Sequence, residues 1–202
     1  MKKQLDFESF SNNVSRETFQ KLDYFAQKLI FWNKSINLIA KNEEDQLWER
    51  HILDSYQLAQ ALPKNKIIAD IGSGGGFPAI VVAICCDYKE IFLIESDKRK
   101  SIFLQEMVMG LSLDNVIVMN SRSENIASLK VDVLTARACS SLVGLLDISF
   151  HHLKSEGEMW LLKGKKIEQE IMLAKSYDFK YELIDNPLSD GVVAKIFDIK
   201  RS

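Results

Sequence analysis

Between residues 15 and 32 the apolar side chains Leu22, Phe25, Ala26, Leu29 and Ile30 recur three and four apart, which lines one face of a helix, and Ser15 stands where an N-cap belongs. Asn42 followed by Glu43, Glu44 and Asp45 predicts the start of a second helix, since carboxylates favour the positive end of the helix dipole. Trp48, Ile52, Tyr56 and Ala59 give it an apolar stripe, and Pro63 closes the run. Beyond Pro63 the pattern changes. Short apolar runs at residues 66–71, 91–95, 116–119, 131–136 and 159–162 predict strands, with helices at 78–86, 98–111, 124–129 and 142–153 between them. That alternation implies a mostly parallel sheet with helices on both faces and right-handed crossovers. Residues 179–184 and 192–199, flanking Asp190-Gly191, predict an antiparallel closing hairpin. The chain therefore divides into a helical lobe over 1–62 and an α/β domain over 63–202, without internal repeats.

Composition sets bounds on this picture. The 202 residues are 47% hydrophobic and 27% charged, enough to bury a core and unlike a disordered chain. A net charge of -2 argues against a general nucleic-acid coating protein while leaving room for a local basic face. Cys85, Cys86 and Cys139 form an odd set without CxxC spacing, so neither a disulfide framework nor a zinc ribbon is expected, and a reducing cytoplasm is the simplest setting. The first eight residues carry charges throughout, unlike a signal peptide. The longest apolar run, 77–86, falls short of the about 20 residues that span a bilayer, so a soluble protein with no membrane partner is expected. His51, His151 and His152 show no HExxH or comparable spacing, and no metal is expected.

Gly72, Gly74, Gly75 and Gly76 fall between a predicted strand and a predicted helix, where glycines let the backbone turn tightly and approach a ligand. A phosphate-binding P-loop would end in Gly-Lys-Ser/Thr, and a dinucleotide fingerprint would carry a third glycine where Phe77 stands. Both lose a required part. Asp70, just ahead of the loop, would repel a pyrophosphate and attract the ammonium or sulfonium of S-adenosylmethionine. Glu95 ends the second strand roughly 20 residues after the loop, where an acid accepts hydrogen bonds from ribose hydroxyls in either cofactor class. A plain tight turn with a solvated Glu95 is the alternative.

Further motifs run along most of the chain. The lobe carries Trp32-Asn33, Asn37-Leu38 and Arg50-His51-Ile52-Leu53-Asp54-Ser55. After the loop come Glu95-Ser96, Lys98-Arg99, Phe103-Leu104, Ser121-Arg122 with Glu124, Ala136-Arg137-Ala138 before Ser141-Leu142, and Leu162-Lys163-Gly164. In these motifs the chain resembles the RsmG (GidB) family, small-subunit ribosomal RNA methyltransferases that modify N7 of a guanosine in 16S rRNA. Residues 50–55 carry most of the discrimination, because generic methyltransferases lack that motif. The resemblance implies an α/β class I S-adenosylmethionine-dependent methyltransferase, Rossmann-like, with the N-terminal helical lobe added. A cytoplasmic monomer acting on 16S rRNA or the small ribosomal subunit is expected. Carried over by motif, the cofactor contacts fall on Gly72, Phe77, Ser123, Glu124 and Arg137, to which the loop reading adds Asp70, Gly74, Gly76 and Glu95. Arg137 and Lys163 are the expected catalytic residues. Ala79 and Val81 depart from the family's frequent Gly and Pro, and Cys139 from a common aromatic.

Methyl transfer from a sulfonium is an in-line displacement, so the protein chiefly holds the nucleophile behind the methyl carbon. Guanine N7 presents a free lone pair and needs no general base. That suits Thr135-Ala136-Arg137-Ala138-Cys139, which stands where enzymes acting on exocyclic amines carry Asn/Asp-Pro-Pro-aromatic. Cys139 opens a rival route, since cytosine C5 methylation uses a thiolate from this part of the fold, but the adjoining proline of that class is missing. Arg137 is a candidate for the cofactor carboxylate, an RNA phosphate or the O6/N7 edge of guanine, with a structural salt bridge as the plain alternative. Lys163, Lys165 and Lys166 with Lys98, Arg99 and Arg122 form a candidate phosphate footprint, against a merely solvated lysine run. His51 and Asp54 can share a helix face, and Arg50 and Asp54 are spaced for an ion pair, a structural role as much as a catalytic one. Another RNA site, another substrate, or a non-catalytic RNA-binding assembly factor on this fold are the competing readings.

Overall fold

Seven strands pair into one sheet in a computed structural model that describes residues 14–164, 166–185 and 191–201. Strands β1 (Ile67–Ile71), β2 (Glu90–Ile94), β3 (Val116–Met119), β4 (Val131–Arg137) and β5 (Leu153–Lys163) are parallel. The expected hairpin, β6 (Tyr177–Asp185) and β7 (Val192–Arg201), joins antiparallel through β7; its turn residue Asp190 lies outside the described residues. The order β3-β2-β1-β4-β5-β7-β6 reverses direction between β1 and β4, which opens a crevice at their carboxyl ends. Strand β5 starts well before residue 159, at Leu153, and its exposed Lys154, Ser155 and Glu156 fall at a register shift against β4, so no apolar run marks them.

Helix α1 (Arg16–Asn33) begins as expected at Ser15, whose Oγ accepts from Thr18 N at 3.1 Å. The second predicted helix is one helical passage in three conformations: a 3-10 turn (Lys41–Gln46), a π-helical turn (Trp48–Ile52) and α2 (Leu53–Ala61). Then come α3 (Ala79–Cys85), α4 (Lys98–Gly110), α5 (Leu142–Ser149) and α6 (Ile167–Leu173). Two expectations need correction. No α-helix forms over 124–129; a 3-10 turn (Ser123–Asn125) stands there, and Ser128 Oγ and Leu129 N instead donate to His151 O and His152 Nδ1 at 2.5 and 3.4 Å. The helix from 142 stops at Ser149, and α6 follows the lysine run in a segment for which no element was expected.

Side chains alternate between the two sheet faces. Ile68, Ile91, Leu93 and Val133 pack with Leu22, Phe25, Leu29, Ile52, Leu58, Ile80 and Phe103, so α1 and α2 share a core with α3, α4 and one sheet face. Ala69, Ile71, Leu134, Ala136, Met159 and Leu161 pack with Leu142, Leu145 and Leu146 of α5 and Ile167 of α6. The same period sets the direction of polar residues near the strand ends. Asp70, Thr135 and Arg137 share parity with Ile68 and Val133, towards the N-terminal helices. Lys163 shares parity with Met159 and Leu161, towards α5 and α6.

Candidate functional site

The loop after β1 turns under β2: Gly72 N and Ser73 N both donate to Ile94 O, at 2.9 and 3.1 Å. Gly72, Gly74 and Gly76 take φ of +69°, +51° and +85°, a region that a Cβ disfavours. A Cβ on Gly76 would stand 2.8 Å from Ile80 Cγ1, and one on Gly75 would stand 3.1 Å from Leu38 O. The glycines thus admit α3 and the N-terminal helices as well as a ligand.

A cavity of about 440 Å³ opens above this loop at the sheet's carboxyl edge. Gly72 to Gly75 and Phe77 form one wall, and Glu95, Ser96 and Lys100 another. Glu43, His51, Arg137, Ala138 and Cys139 complete the lining with Leu38, Ile39 and Ala40, Cys139 packing against Gly72 and Leu38 against Gly75. Glu95 Oε2 accepts from Gly74 N at 2.9 Å and Oε1 from Asp97 N at 2.7 Å, which fixes the carboxylate while leaving lone pairs on both oxygens.

Asp70 does not line the cavity. It is wholly buried beneath the loop, where Oδ1 accepts from Thr135 Oγ1 at 2.7 Å, its register partner on β4. Burial raises its pKa to about 7, against the hydrogen bonds from Thr135 and Ser73. Its Oδ2 is buried without a hydrogen-bond partner among the described residues.

Arg137 links the sheet to the N-terminal helices. Nη2 donates to Arg50 O in the π-helical turn at 2.7 Å, and Nη1 is buried with no partner among the described residues. Burial lowers the pKa of the guanidinium, while the charges of Asp54 and Glu43 act to raise it. Arg50 finds its acid in Glu43, at 3.6 Å. His51 is held neutral, its pKa lowered to about 3 by burial and by the charges of Arg137 and Arg50. Its ring lies 5.0 Å from that of Phe77, and Nε2 stands 3.3 Å from Glu43 Oε2 outside hydrogen-bond alignment.

The remaining expected residues scatter along the same edge. Ser123 is buried, its Oγ donating to Ile148 O at 2.8 Å, with His152 Nε2 3.2 Å from its carbonyl. Glu124 is exposed beside Arg122, at 4.0 Å. Lys98, Arg99 and Arg122 are exposed, whereas Lys163 turns inward, donating to Ser140 O at 2.6 Å and Glu170 Oε2 at 2.8 Å with its side chain only 8% exposed. Arg137 and Lys163 therefore leave the sheet on opposite faces. Lys165 lies outside the described residues, and Lys166 is exposed. Glu43, Lys100 and Glu170 were missed: the acids at 43–45 read only as a helix start, and Glu170 sits on the helix that went unseen. Among the described residues no group of three His, Cys, Asp or Glu side chains could hold a metal, and no helix is long and apolar enough to cross a membrane.

S-adenosylmethionine fits these residues. Glu95 lines the cavity as an acid facing a cationic ligand and retains acceptors for ribose hydroxyls; Asp70, with its orphan Oδ2, lies beneath the loop rather than in the cavity; the orphan Nη1 of Arg137 suits a carboxylate. A parallel sheet of this order, with a glycine loop after β1 and an acid after β2, defines a class I methyltransferase with S-adenosylmethionine as its cofactor. The chain belongs to the GidB family, rRNA small subunit methyltransferase G, which it matches over residues 18–185. It is 40% identical over 190 residues to the ribosomal RNA small subunit methyltransferase G of Gluconobacter oxydans, covering 93% of this chain and 97% of that protein. It is 41% identical over 194 residues to that of Paramagnetospirillum magneticum, covering 94% and 93%. Among solved structures, M. jannaschii TYW2 in complex with AdoMet matches with a TM-score of 0.60 at 20% identity, over 75% of this chain and 76% of that one. A SAM dependent methyltransferase from Aquifex aeolicus matches with 0.61 at 16% identity, over 78% and 95%. At these identities the two share the fold alone.

Proposed function

We propose that the protein, a cytoplasmic monomer, transfers the methyl group of S-adenosylmethionine to N7 of a guanosine in 16S rRNA, free or within the small ribosomal subunit. In this reading residues 1–62 form a lobe, whose Leu38, Ile39, Ala40, Glu43 and His51 close the cavity, over a methyltransferase domain of 63–202. The observation that carries it is the cavity wall after β4, where Arg137-Ala138-Cys139, with Cys139 packed against Gly72, stands in place of an amine-methylating segment.

S-adenosylmethionine supplies an electrophilic methyl on a sulfonium when bound. Gly72, Gly74 and Phe77 line its seat, with Gly76 packed behind them against Ile80, Glu95 takes the ribose, and Ser123 and Glu124 stand at the next strand end for the adenine. Arg137 donates from Nη1 to the cofactor carboxylate or to O6 of the guanine. As the N7–carbon bond forms and the carbon–sulfur bond breaks, no proton has to leave, so holding the ring in line suffices. The neutral His51 is then no obstacle: no base is required of it. The Cys139 thiol is pushed up by burial and by the charges of Asp70 and Glu95, which weighs against a thiolate route to cytosine C5. Lys98, Arg99 and Lys100 crowd the first turn of α4, against the helix dipole, an arrangement that an RNA phosphate would relieve.

The test is a radiolabelled methyl-transfer assay offering 16S rRNA, small subunits and free nucleosides in parallel, with nuclease digestion and mass spectrometry of the product. The expected result is 7-methylguanosine at one position of the ribosomal substrates. Label in another nucleoside, or in none, overturns the reading.

A further inference from the structure

The acceptor side of the cavity is walled by Ala138 and Cys139, in the loop that joins β4 to α5. In that loop Ala138 takes a φ of +47°, which costs a residue with a Cβ. Its fastenings come from elsewhere in the chain. Lys163 at the end of β5 donates to Ser140 O at 2.6 Å, and Leu142 N, the first free amide of α5, donates to Glu170 Oε2 at 2.7 Å. The same Glu170 oxygen accepts from Lys163 Nζ at 2.8 Å, so one carboxylate joins both fastenings.

We propose that Glu170 is a positioning residue for methyl transfer: from α6 it clamps Lys163 and Leu142 and so sets the loop that presents the acceptor wall. The inference rests on the methyl-transfer reading above, but the clamp can be measured without it. Two N–H groups of the Lys163 ammonium are spent on the clamp and its side chain is nearly covered, so Lys163 works through the loop rather than by gripping a phosphate. Its charge is nevertheless felt at Cys139, on the cavity wall. The Glu170 side chain is 25% exposed, so its removal leaves no large hole in the core.

The experiment compares full-length wild type, Glu170→Ala, Glu170→Gln, Lys163→Met and the Lys163→Met/Glu170→Ala double variant. In Glu170→Ala the amide of Leu142 should exchange with deuterium faster, the sheet amides should change less, and Tm should fall because the nearly covered Lys163 ammonium loses its carboxylate. A slackened acceptor wall should lower kcat by roughly ten- to a hundredfold, the scale of a misplacement near 1 Å, while the Kd for S-adenosylmethionine stays within about twofold. Glu170→Gln, which keeps an acceptor for Leu142 N, should fall between. The double variant should lose no more than Lys163→Met alone, as two members of one clamp do. Unchanged Leu142 exchange in Glu170→Ala overturns the clamp, and an equal loss of cofactor affinity and kcat, or additive losses in the double variant, overturns the positioning role. If wild type transfers no methyl to RNA while Leu142 exchange responds as expected, the acceptor assignment fails and the clamp stands.

Discussion

Asp70 and His51 are both buried beside the glycine loop, and burial moves their protonation in opposite senses. Asp70, raised from 3.8 to about 7, keeps a proton in the folded chain where the unfolded chain has lost it, so its contribution to stability falls as pH rises through that window. His51, lowered from 6.5 to about 3, stays neutral where the unfolded chain takes up a proton; its contribution is full above 6.5 and is lost as pH falls. Each slope approaches roughly 1.4 kcal/mol per pH unit, and between about pH 4 and 6 the two oppose one another. Urea unfolding across that range should therefore show a steeper loss on acidification for Asp70→Asn than for wild type, and a loss on alkalinisation for His51→Gln. Parallel curves for all three proteins would contradict these assignments. A cation seated above Asp70 favours its carboxylate, so cofactor binding near pH 7 should expel a proton, read by calorimetry in buffers of different ionisation enthalpy, and Asp70→Asn should abolish that release.

At the scale of elements, Arg137 makes the contact that most depends on tertiary structure: a guanidinium on β4 reaching the Arg50 carbonyl in the π-helical turn, 87 residues away in sequence. Arg137→Met should speed amide exchange in residues 48–55 and weaken S-adenosylmethionine binding by roughly ten- to a hundredfold, the worth of a hydrogen bond to a charged group. Normal exchange with full affinity would remove the link. This contact also marks where sequence reasoning stopped. Helix α1 was legible because its apolar positions keep one period, the strands because they are short apolar runs, and the glycine loop because its spacing is local. The directions of Arg137 and Lys163 were hidden: a strand covered on both faces reads as an unbroken apolar run, as Met159-Trp160-Leu161-Leu162 does, and carries no alternation to follow. The π-helical turn, with Arg50 and His51 in it, has the same periodicity as the α-helix around it over so few residues. Helix α6 spans only seven residues, and Glu170 gains meaning solely from Lys163 and Leu142.

For the whole molecule, the net charge of -2 conceals a sorting of charge by position. Lys98 and Arg99 follow β2, Arg122 follows β3, and all three are exposed at the sheet edge that carries the cavity. Their ion pairs are loose, 3.8 Å from Arg99 to Asp97 and 4.0 Å from Arg122 to Glu124, so each cation can exchange its partner for a phosphate at small cost. The groups proposed for the cofactor, Glu95 and Arg137 among them, are by contrast set deeper in the fold. The two binding functions should then separate under mutation. Lys98→Ala/Arg99→Ala/Arg122→Ala should leave the Kd for S-adenosylmethionine within about twofold, while the slope of log K for 16S rRNA against log salt shrinks by about two, given roughly 0.7 per single-strand phosphate contact. Filter binding between low and physiological salt measures that slope directly. A triple variant with the wild-type slope would mean that RNA approaches over a different face, and the acceptor would then have to reach the cavity past Lys163 and α6.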